Sequence, residues 1–103
     1  METIEIKDNE GKLLYSYTCE NNSISKTLKQ ASIERIRLDN ANLSGKLIEN
    51  VALSELGLIQ ANFAYSTFNN VIITNTHLAE ANLLIPKLKI HHFLILNVII
   101  LIL

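Results

Sequence analysis

The 103 residues suffice for one small domain, and nine Lys and Arg nearly cancel ten Asp and Glu, for a net charge of −1. Such a balance offers neither a cationic face for phosphates nor a strongly anionic one, and 49% hydrophobic residues exclude disorder by composition. One proline and three glycines are too few to punctuate an ordinary small β protein, so something other than standard hairpin chemistry must organise the chain.

Residues 1–35 read as an N-terminal cap. Ile4 and Ile6 alternate on one strand, and Leu13, Tyr15 and Tyr17 on the next, with Asn9-Glu10-Gly11 as the turn of a hairpin over 3–18. Cys19 is the only cysteine, which excludes an internal disulfide and a cysteine-based zinc site; it reads as a small residue on the hairpin. Asn22-Ser23 has the chemistry of a helix cap, and Ile24, Leu28 and Ala31 predict a short amphipathic helix to about Ser32. Met1-Glu2-Thr3 shows neither the basic region nor the apolar run of a secretory leader, so a cytoplasmic protein is expected.

From 36 to 83 the period is five. Leu38, Leu43, Ile48, Leu53, Leu58, Phe63, Phe68, Ile73, Leu78 and Leu83 are all large and apolar. In a half-hydrophobic sequence, ten such hits in any of the five registers arise roughly once in two hundred. The residues two before each centre are mostly small or apolar, Lys46 excepted; those two after are never aliphatic from Asn40 to Glu80. Two inward residues at spacing two fit a very short strand followed by a corner. Ala41-Asn42-Leu43, Ala61-Asn62-Phe63 and Ala81-Asn82-Leu83 recur twenty residues apart, so four sides of five would stack equivalent residues at about 4.8 Å.

Ala-Asn-Leu-Ser-Gly (41–45) and Ala-Asn-Phe-Ala-Tyr (61–65) resemble the A(D/N)LXX units of the pentapeptide-repeat family, and the resemblance runs from Ile36 to Leu83. It implies an all-β solenoid, a right-handed quadrilateral β-helix, with the hairpin and helix as its cap. Lys46 departs from the family's small inward residue and implies either a bulge or an ammonium snorkelling outward. Asn42, Asn62 and Asn82 are expected to form a structural ladder of amides.

In the tail, 84–103, the register continues through Leu88, Phe93, Val98 and Leu103, but the outward positions turn apolar. The tail is a degenerate continuation of the repeat, an interaction segment or an accidental extension. Leu94, Ile95, Ile99, Ile100 and Ile102 are the candidate interface, through which self-association is expected. Phe93 to Leu103 is eleven residues and contains Asn97, too short to span a membrane.

No phosphate loop or serine elbow is present, and no cofactor is implied. His91 and His92 are neighbours, so on a strand they point to opposite faces, and with His77 they make a poor metal set. The leading expectation is a non-catalytic structural or protein-interaction module, not an enzyme, with an unidentified protein partner and no direct nucleic-acid binding. The resemblance adds a second: a DNA mimic that modulates type II topoisomerases such as gyrase. Against it, residues 36–80 carry a net charge of only −2. A third is membrane contact through the apolar tail with Lys87 and Lys89.

Overall fold

The computed structural model describes residues 1–82 and, as backbone, 87–88 and 93–96. Strands β1 (Glu2–Lys7) and β2 (Leu13–Cys19) pair antiparallel, with Ile4 opposite Tyr17 and Ile6 opposite Tyr15. Asp8 shapes the turn. Its Oδ1 accepts from the amides of Glu10 and Lys12, both at 2.9 Å, while Gly11 takes a left-handed φ of 89°. Helix α1 (Ile24–Ile33) begins at Ser23, whose hydroxyl accepts from the Lys26 amide at 3.1 Å, a side-chain cap satisfying one of the open N–H groups.

Beyond α1 the backbone follows the five-residue period. Arg35, Asn40, Gly45, Asn50, Glu55, Gln60, Tyr65, Asn70, Asn75 and Glu80 all have φ between 47° and 65°. A left-handed residue every five positions turns the chain, which explains why β-branched residues never stand there. Between corners, Leu38, Leu43, Ile48, Leu53, Leu58, Phe63, Phe68, Ile73 and Leu78 are each at most 3% exposed. Leu83 lies outside the described residues. Phe63 and Phe68 meet in a tilted pair, ring centroids 5.4 Å apart.

Strands β3 (Leu47–Ser54) and β4 (Thr67–Thr74) pair in parallel at an offset of twenty, Ile48 opposite Phe68 and Leu53 opposite Ile73. β5 (Lys87–Leu88) continues that offset against β4, placing Leu88 opposite Phe68. β6 (Phe93–Leu96) does not: Phe93 stands opposite Val71 and Ile95 opposite Ile73, two residues out of step. Four residues separate Leu88 from Phe93, against two between Phe68 and Val71, which accounts for the difference.

This architecture corrects the expectation of an all-β solenoid. The described residues form a small mixed α/β globule of one helix and two small sheets, not the quadrilateral β-helix the sequence suggested. Two physical reasons stand out. Ile6 of β1 and Leu28 and Ala31 of α1 belong to the same buried cluster as Leu38, Phe63 and Phe68, so hairpin and helix share one core with the repeat. Pairing is also unequal along the repeat. It concentrates in the eight-residue β3 and β4, and elsewhere reduces to single bridges such as Arg37–Gly57 and Gly57–His77. Period five dictates where the chain turns, which is local; the class of fold is set by what packs on it.

Candidate functional site

The free edge of β3 is covered by α1 through a polar stripe. Ser32 Oγ donates to the Ser54 carbonyl at 2.6 Å and accepts from the Ser54 amide at 3.0 Å. Lys29 Nζ donates to the Ala52 carbonyl at 2.9 Å, and Ser25 Oγ accepts from the Glu49 amide at 2.9 Å. Ser25, Lys29 and Ser32 stand at helical spacing, one residue on from Ile24, Leu28 and Ala31. Sequence reasoning took the apolar stripe and missed this one, although the same period carried it. The hairpin covers a neighbouring edge: Asn9 N–H donates to Asn40 O and Asn42 N–H to Lys7 O. Both contacts close strand edges that would otherwise invite pairing by another chain.

Asn42 and Asn62 pair as a backbone bridge, and so do Asn62 and Asn82. The expected amide ladder takes another form at the first two. Asn42 Oδ1 accepts from the Ser44 amide at 3.2 Å and hydroxyl at 2.7 Å, and Asn62 Oδ1 from the Ala64 amide at 3.0 Å, each within its own turn. Links from side chain to side chain between segments occur at the corners instead. Asn70 donates to Asn50 at 3.0 Å, Gln60 to Glu80 at 2.8 Å, and Arg35 pairs with Glu55 at 2.7 Å. Lys46 is exposed, while Ser66, twenty residues on, is buried and donates to Leu43 O.

Among the described residues two groups have displaced titrations. Burial, reinforced by a 2.7 Å hydrogen bond to Glu34, pushes the Tyr15 phenol up to about 12. Hydrogen bonds from Gln30 and then Tyr15 hold the Glu34 carboxyl below its usual value. Together they tie β2 to the C-terminal end of α1.

An open groove of about 470 Å³ runs between β2, α1 and β3. Tyr17, Cys19 and Val51 are its less polar lining; Lys26, Lys29 and Glu49 carry its charge. Cys19 is half-buried and unbonded to any other cysteine. Among the described residues no three His, Cys, Asp or Glu converge as a metal set; His77 is exposed, and His91 and His92 lie outside them. Of the candidate interface, Leu94 and Ile95 fall in β6, with Leu94 opposite the exposed Ile72. Ile99, Ile100 and Ile102 lie outside the described residues. No helix among the described residues is long and apolar enough to cross a membrane.

The described residues define a small α/β chain with helix-covered and hairpin-covered edges, a charged groove and an apolar last strand. No family model, curated protein or solved structure matches it.

Proposed function

We propose that this chain is a non-catalytic interaction module that joins a second copy of itself through its C-terminal strand. The observation that carries the reading is β6, whose sequence Phe-Leu-Ile-Leu is wholly apolar and which pairs with β4 on one side. Among the described residues no strand pairs with its other side. The contrast with β3 supports the reading, because the β3 edge is covered by α1 while, among the described residues, no strand pairs with the outer edge of β6. An apolar edge strand without a second strand beside it is a template for a further one.

Light scattering at micromolar concentration tests the reading. The unmodified chain is expected to run as a dimer or larger assembly. Leu94→Lys shifts it toward monomer while preserving the circular dichroism spectrum. Leu94 is preferred to Ile95 because it stands opposite the exposed Ile72 rather than the buried Ile73. A clean monomer for the unmodified chain overturns the proposal.

A further inference from the structure

We infer that the groove between β2, α1 and β3 binds an acidic segment of a partner protein, with a carboxylate beside an apolar side chain. The inference rests on the interaction-module reading and adds a second surface to it, far in sequence from β6.

The charge argument comes first. Lys26 and Lys29 stand one helical turn apart and both line the groove. Lys26 Nζ donates to the carbonyls of Glu20 at 3.3 Å and Asn21 at 2.9 Å, and Lys29 Nζ donates to Ala52. Neither is among the ion pairs of the described residues, which join Lys7 to Glu5, Arg35 to Glu55 and Arg37 to Asp39. An ammonium has three donors, so one remains on Lys26 and two on Lys29. Glu49 is the single carboxylate lining the groove. Lys26 and Lys29 against Glu49 leave the groove lining a net charge of +1, on a chain whose net charge is −1. Carboxylates suit it by charge, and steering by such a patch is an effect that salt weakens.

The shape argument follows. Tyr17, Cys19 and Val51 line the same groove as the two lysines, and the volume lies in the range of ligand sites. The groove is open to solvent and bounded by β2, α1 and β3, so a segment of a partner chain can enter it from outside. Two lysines neutralise too few phosphates to hold a nucleic acid at physiological salt.

The test follows backbone amide shifts of the isotope-labelled full chain. The probes are the acetylated, amidated peptides Glu-Leu-Phe-Glu and Lys-Leu-Phe-Lys, and inorganic phosphate. The acidic peptide is expected to shift the amides of Cys19, Lys26, Lys29 and Val51, and to bind several-fold more weakly as salt rises from about 50 to 300 mM. Lys26→Gln with Lys29→Gln lowers its affinity about fivefold, the effect of two exposed ion pairs. Should that variant lose its folded spectrum, Glu49→Gln serves instead and is expected to tighten binding about twofold. Equal binding of the basic peptide, saturable shifts with phosphate alone, unchanged affinity in the variants that fold, or no shifts at about 5 mM peptide would each overturn the inference. Light scattering is indifferent to these outcomes. A dimer without peptide binding removes the groove and leaves self-association, and a monomer that binds the peptide does the reverse.

Discussion

At Tyr65 the constraint is the backbone. The ring is 66% exposed, yet φ is 62°, a region that costs a non-glycine residue roughly 1–2 kcal/mol. Asn tolerates that conformation because its short side chain bonds locally, whereas β-branched residues suffer most. Tyr65→Asn is therefore expected to raise stability by about 0.5 kcal/mol in urea melts, and Tyr65→Val to lower it by about 1 kcal/mol or more. Equal midpoints for the two would show that the corner does not govern this position. The corners were partly legible: the absence of aliphatic residues at 40, 45, 50 and onward marked an outward position, but not its handedness. Asn40, Gly45, Asn50, Asn70 and Asn75 carry a left-handed signature, which Glu55, Gln60, Tyr65 and Glu80 dilute.

Among the elements, α1 shows how one helix serves two neighbours. Leu28 and Ala31 enter the core, while Ser25, Lys29 and Ser32 satisfy the edge of β3. Ser32→Ala would strip the Ser54 amide and carbonyl of their partner at once. Leaving part-buried backbone groups unpaired costs about 1–3 kcal/mol, and amide exchange at Ser54 should quicken accordingly. An unchanged exchange rate would mean that water replaces the serine freely. The link between β2 and α1 depends on pH. Glu34, held below its ordinary 4.5, stabilises the fold above that value, and its contribution is lost as pH falls through the lowered one. Tyr15, raised from 10.0 to about 12, contributes fully below pH 10 and loses that contribution as pH climbs toward 12. The stability difference between the unmodified chain and Tyr15→Phe should thus be flat between these limits and shrink outside them. A difference that persists unchanged at both extremes would dissociate the phenol from Glu34.

Taken as a whole molecule, the chain divides what its sequence discloses. The inward residues from Leu38 to Leu78 were legible because period five puts one large apolar side chain between each pair of corners. The hairpin and helix followed from alternation and from the Asn22-Ser23 cap. The fold class was not legible, because a repeat announces how the chain turns and is silent on what shares its core. Ile6 and Leu28 complete that core from outside the repeat. The groove was equally hidden, since Tyr17, Lys29 and Glu49 come from three elements and share no spacing.

The offset of twenty within residues 37–82 also constrains the chain's length there. Arg37–Gly57, Gly57–His77, Asn42–Asn62 and the whole of β3–β4 are matched at twenty, so one residue gained or lost between them would turn inward side chains outward. A tandem copy of residues 56–75 placed after Asn75 keeps the corners and inward residues of 37–82 in step, and brings its own Phe63 and Phe68. Such a lengthened chain should melt cooperatively, whereas a copy one residue shorter should not. If both insertions behaved alike, the offset would be incidental. For the lineage of such a sequence the implication is that change by whole duplication is easier than change by single insertion, an inversion of what loops allow in most small proteins.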